Sequence, residues 1–181
     1  MENMRKMKMI VLGIALVLCW SGLMIAADTA TQTFSLSVLD ICVIGVTGNP
    51  GNLEVQAPAS GGETPDNPFD DSTYAVYTSV VGSGQARQIT AEWGATDSAP
   101  SGTSLKLEVT ELAGVNEGSA AAEITMSDTP QSIITGIGSC ATGTGIGGAK
   151  LKYTLSVDDV TQLVAGSSES VTITLTLADA S

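Results

Sequence analysis

The sequence predicts an all-β fold, an antiparallel β-sandwich of immunoglobulin-like or jelly-roll type with about eight or nine strands. Three observations predict it. Apolar residues recur with a period of two in short stretches. Turn signals rich in Gly, Pro, Asn and Asp separate those stretches. No stretch sustains the 3.6-residue period over the length of a helix.

Taken in order, the elements read as follows. Thr31–Val38 alternates Phe34, Leu36 and Val38 against Thr33, Ser35 and Ser37, and the phase breaks at Leu39–Asp40 as at a bulge. Ile41–Val46 is a continuous apolar strand holding Cys42, followed by the turn Gly48-Asn49-Pro50-Gly51. Leu53, Val55 and Ala57 mark a short strand, and Pro58–Ser72 a long surface loop. Tyr74–Val81 is a strand ended by Gly82-Ser83-Gly84. Arg87–Trp93 turns Ile89, Ala91 and Trp93 inward, and Ser104–Leu112 does the same with Leu105, Leu107 and Val109. Ala122–Met126 and Gln131–Thr135 are weaker strands. Lys150–Val157 alternates strictly, with Leu151, Tyr153, Leu155 and Val157 on one face. Asp158–Val164 makes a helical turn that the Asp158–Asp159 pair caps, and Ser170–Leu177 closes the chain. Aromatic residues are few, so the core is aliphatic, with Phe34, Tyr77, Trp93 and Tyr153 as its large members.

The start of the chain reads as a cleaved N-terminal signal peptide over residues 1–27. Arg5, Lys6 and Lys8 precede an apolar run from Met9 to Trp20, and Ala26–Ala27 offers small residues for cleavage. The run falls short of the roughly 20 residues of a membrane span. Residues 28–181 then form a single β-sandwich domain, exported to the periplasm, cell surface or medium, with no membrane insertion after cleavage. Four basic residues against eighteen acids leave this portion a formal charge of −14. Such a field repels phosphate backbones and excludes nucleic acid as a partner. Cys42 and Cys140 are its two cysteines, and an oxidising compartment makes a Cys42–Cys140 disulfide the expectation, two buried thiols the alternative.

Catalysis finds little to work with. The chain has no histidine, which removes Ser-His-Asp and Cys-His arrangements and the usual zinc sets, and the acids are scattered singly. The reading is therefore not an enzyme, with no cofactor. Asp66, Asn67, Asp70 and Asp71 crowd one loop, and hard oxygen donors so spaced can hold calcium through Asp66, Asp70 and Asp71, although the same cluster reads as solvated surface. Gly143–Gly148 has the spacing G-x-G-x-x-G, but a strand rather than a helix follows it, so a dinucleotide site is not expected. Trp93 is either a sugar-stacking platform or a core residue in phase with Ile89. The Thr31–Val38 segment either pairs within its own domain or serves as a donor strand through Phe34, Leu36 and Val38.

Three runs, Ser72–Gly84, Ile133–Gly145 and Leu151–Asp159, resemble a group of exported bacterial proteins of unknown function. More loosely, the exported sandwich, the early cysteine and the alternating N-terminal strand are similar to chaperone–usher pilins and spore-coat-U-like subunits. That likeness implies polymerisation by donor-strand exchange into surface fibres. The function expected is an exported non-enzymatic structural or adhesion protein, a fimbrial or cell-surface subunit, whose partner is itself or other surface subunits. The alternative is an extracellular module binding a glycan or other ligand, supported by calcium.

Overall fold

The computed structural model describes residues 30–112 and 114–180, so the signal peptide assigned to residues 1–27 lies outside the described residues. Among the described residues, ten strands build two antiparallel sheets, the all-β sandwich that the alternating stretches predict. One sheet has the order β1(Ile41–Thr47), β2(Phe69–Val80), β9(Ala149–Val157), β4(Thr103–Glu111), β6(Ile124–Thr125), with β8(Cys140–Ala141) also on β2. The other has the order β10(Ile173–Asp179), β3(Arg87–Trp93), β7(Gln131–Ile137), β5(Ser119–Ala120).

The core lies where the period of two places it. Ala75 and Tyr77 of β2, Leu105 and Leu107 of β4, and Leu151 and Tyr153 of β9 meet Ile89, Ala91, Ile134 and Leu177 from the facing sheet. The outer face of the first sheet carries the complementary residues. There Lys152 pairs with Glu108 at 3.6 Å across the β4–β9 ladder, and Lys150 reaches Asp71 at 2.7 Å and Glu111 at 3.5 Å.

Several elements depart from the expected course. Residues 30–40 are in no strand, and Phe34, expected in the core, is 70% exposed. An alternating pattern states which face a strand would bury once paired; it does not supply the partner edge that satisfies the backbone groups. Leu53–Ala57 is reduced to a single bridge, Gln56 to Asp66. Strand β2 begins at Phe69, inside the stretch expected as loop, and a register shift between Asp70 and Thr73 absorbs the irregularity. The helical turn is a single 3₁₀ turn over Val160–Gln162, capped by Asp159, whose carboxylate accepts from the Thr161 backbone N–H at 2.9 Å.

The glycine stretch has a specific task in this fold. Strands β8 and β9 run in line along the same edge of β2: Ala141 lies opposite Thr78, and Ala149 lies opposite Ala75. Thr142 continues the line, its N–H donating to the Tyr77 carbonyl at 3.1 Å. Residues 143–148 therefore leave and rejoin one interrupted strand where β2 supplies only Val76. Gly148 lies so close to β2 that a Cβ there would overlap the Ala75 carbonyl. The excursion reaches β1, where Thr47 Oγ1 donates to the Gly145 carbonyl at 3.0 Å.

Candidate functional site

The two sheets leave one side of the sandwich unfinished. Strands β1 and β10, each seven residues long, are the edges of their sheets, and they face each other across the layer gap. Cys42 Sγ lies 3.4 Å from the Leu177 carbonyl, which fixes the approach of the two strands.

Register shows which side chains line the gap. Cys42, Ile44 and Val46 of β1 sit opposite Ser79, Tyr77 and Ala75 of β2, all three of which are buried. A cross-strand partner shares a face, so Cys42, Ile44 and Val46 point inward. Yet Cys42 is exposed, Ile44 is only partly buried and Val46 is 52% exposed. On β10, Ile173, Leu175 and Leu177 sit opposite Trp93, Ala91 and Ile89, and of the three only Leu177 is buried. Inward-facing apolar residues left open to water along two edge strands make an apolar groove. An edge strand also presents unpaired N–H and C=O groups along its length, a template for another strand.

Arg87 closes one end of this groove. It starts β3 in phase with Ile89 and Ala91, so its side chain points inward, and it is 3% exposed. Its guanidinium donates to the Asp40 carboxylate and the Ile41 carbonyl, to Ser79 Oγ at 3.3 Å, and through Nε to Asp179 at 3.2 Å. A buried cation needs such partners. The hydrogen bond to Asp40 above all, with Asp179 among the smaller contributions, holds it more firmly charged than a free arginine. Arg87 was not among the residues singled out from the sequence. The available signal was an arginine in the inward phase of a strand, in a chain with few basic residues.

The expected disulfide is not formed. Cys42 and Cys140 are free thiols. The register explains why: both lie opposite Ser79, one on each side of β2. Two steps between neighbouring strands separate them by roughly 10 Å, beyond the ~7 Å that a disulfide spans between Cα atoms. Burial, and then the nearby Glu117 carboxylate, push the Cys140 thiol pKa up.

The proposed calcium ligands do not converge. Asp66 is held in the bridge to Gln56. The Asp70 carboxylate accepts from the Ser72 hydroxyl at 2.7 Å and the Gly51 N–H at 3.2 Å, and these bonds keep it below its ordinary pKa. Asp71 is paired with Lys150. Strand β2 also turns consecutive residues to opposite faces. Among the described residues, no group of three acidic or cysteine side chains is placed to hold a metal ion. Asn67 ties its loop to the end of β9 instead, accepting from the Val157 N–H at 2.8 Å.

Trp93 packs partly buried against the core, opposite Ile173, which is the packing role its phase indicates. The Gly143–Gly148 stretch runs through a 3₁₀ turn into β9, without the helix N-terminus that a pyrophosphate site requires. No protein-family model, no curated protein and no solved structure matches the chain.

Proposed function

We propose that this chain is an exported, non-enzymatic structural subunit that joins copies of itself by strand addition, the Phe34–Val38 segment of one copy filling the β1–β10 groove of the next. The observation that carries the reading is the groove: Cys42, Ile44 and Val46 are aimed at the interior by register and left uncovered. A single added strand covers them, pairs a free edge and completes the core.

The occupant follows from the chain itself. Phe34, Leu36 and Val38 are 70%, 91% and 84% exposed, and they repeat at the two-residue spacing of the groove's inward side chains. The segment lies outside the strands of the sandwich, so it is free to serve another copy. Export follows from the basic and apolar start of the chain, and a net charge of −12 on the whole sequence suits a surface that meets water rather than phosphate.

The exported chain should form a ladder of multimers on native gels and in mass photometry. Leu36→Asp, which puts a charge on the face to be buried, should reduce the ladder to monomers that still melt cooperatively as a folded sandwich, at a temperature below that of the strand-completed multimer. Wild-type chain that stays monomeric at high concentration, or a ladder indifferent to Leu36→Asp, would overturn the reading. A ladder lost together with the melting transition would place residues 31–38 inside the domain's own core.

A further inference from the structure

The Arg87 bridge says more about the groove, on the footing of the strand-addition reading above. Its two carboxylate partners come from the two strands that bound the groove: Asp40 directly precedes β1, and Asp179 is the last residue of β10. One buried cation therefore ties the two lips together at this end. At the other end of β1, Thr47 turns to the Gly145 carbonyl instead. Starting from the Cys42–Leu177 approach, each strand offers three inward side chains before the groove runs out.

We infer that Arg87 is a stop that fixes the register of an incoming strand. Three inward levels match three alternating apolar residues, Phe34, Leu36 and Val38. A slip of one residue would turn serine and threonine to the core and is excluded by parity. A slip of two residues keeps parity and is the error that parity cannot prevent. Toward the Arg87 end, such a slip drives an apolar side chain against a buried guanidinium and its carboxylates, which costs desolvation with no compensating bond. Arg87 is thus a positioning residue: it decides where the strand comes to rest.

Cys42, on the groove wall, gives the readout. Synthetic peptides spanning Thr31–Leu39 would carry a single cysteine in place of Phe34, Leu36 or Val38, activated as the mixed disulfide with nitrothiobenzoate. The Cys42 thiolate attacks the peptide sulfur, a protein–peptide S–S bond forms, and the nitrothiobenzoate thiolate leaves. The exported full chain carrying Leu36→Asp, a monomer whose groove stays open, is incubated with each peptide, and the adduct is mapped to Cys42 by mass spectrometry. With Arg87 intact one of the three peptides should label Cys42 about tenfold faster than the other two, since capture follows proximity. In Arg87→Met that preference should fall to about twofold or less as registers mix. Asp40→Asn with Asp179→Asn, which alters two exposed carboxylates and keeps the arginine, should weaken it in the same direction and decides the matter if Arg87→Met does not fold. A preference for one position that survives in both variants overturns the inference while leaving strand addition intact. If no peptide labels Cys42 faster than one of scrambled order, strand addition fails and the inference falls with it.

Discussion

The two sides of the sandwich are finished in different ways. On one side the sheets end in β6 and β5, strands of two residues each, and the chain passes between them through residues 121–123. Backbone bonds seal that seam: the Ala121 N–H donates to Ile133 at 2.9 Å, and the Met126 N–H donates to Leu105 at 2.8 Å. Short edges covered by continuous chain offer little to a foreign strand. On the other side the edges are β1 and β10, seven residues each; among the described residues no chain lies between them, and the Arg87 bridge and the Cys42–Leu177 contact join them at one end. The same fold thus blunts one pair of edges and leaves the other open, and the open pair carries the exposed inward residues. The comparison teaches that the open edge is a local property of this side rather than a looseness of the whole core.

The sharpest way to break that comparison is to cut equivalent side chains on the two sides. Leu107, on β4 beside β6, is 1% exposed, and Leu107→Ala should cost about 2–5 kcal/mol. Val46 points inward too but is half exposed, and Val46→Ala should cost less than about 1 kcal/mol in the monomer. Urea unfolding of both variants measures the difference. Equal losses would mean that the groove is as well packed as the covered side.

Titration gives a somewhat smaller effect. Tyr153 lies on the inner face of β9, and burial pushes its phenol up to about 12 from an ordinary 10.0. The unfolded chain releases that proton first, so stability is intact below pH 10 and falls as pH rises toward 12. The loss from this group is roughly 2–3 kcal/mol. Burial raises the Tyr77 phenol as well, and its hydroxyl donates to the Glu117 carbonyl at 2.6 Å, so it extends the decline to higher pH. Tyr153→Phe should flatten the alkaline limb of the melting curve between pH 10 and 12. An unchanged limb would show that water reaches the interior at β9 as it reaches the groove.

Much of this molecule was legible in the sequence, and the parts that were not have a common cause. Strands β3, β4 and β9 were read nearly to the residue because each buries one face against a facing sheet, and burial writes a period of two. Strand β8 left no such mark: two residues are too few to show a period, and the excursion that follows hides its continuity with β9. The disulfide was a matter of compartment, whereas register set the two cysteines on opposite flanks of Ser79, and register is a long-range property. The calcium cluster was close in sequence and separated in space because half of it belongs to a strand. The groove could not be read at all. A strand that lacks a neighbour carries the same alternation as one that has it, and residues 173–179 look as complete as residues 103–111.

The thiols test the comparison at the level of single atoms. Cys42 is exposed on the open side, and Cys140 is half-buried in the sheet with its pKa raised. Both effects slow the reaction of Cys140, so iodoacetamide should modify Cys42 faster by on the order of tenfold. In multimers that advantage should vanish, because the strand that completes the groove covers Cys42. Equal rates in the monomer would remove the exposed wall on which the groove depends.

The smallest effect concerns charge on the sealed side. Lys106 of β4 reaches Glu123, in the link between β5 and β6, at 3.7 Å, and both side chains are a third or more exposed. An ion pair across the seam invites the conclusion that charge holds it shut. The distance and exposure argue otherwise, since such pairs contribute between about 0 and 1 kcal/mol. The seam already has the Ala121 and Met126 backbone bonds, and Ile124 pairs with Leu107 across the ladder. Glu123→Gln should therefore lower the unfolding free energy measured in urea by less than about 1 kcal/mol, and the loss should disappear in 1 M salt, where screening acts within roughly 3 Å. A larger loss that persists in salt would mean that the seam relies on a desolvated charge pair, which would make it as dependent on one side chain as the Arg87 end of the groove.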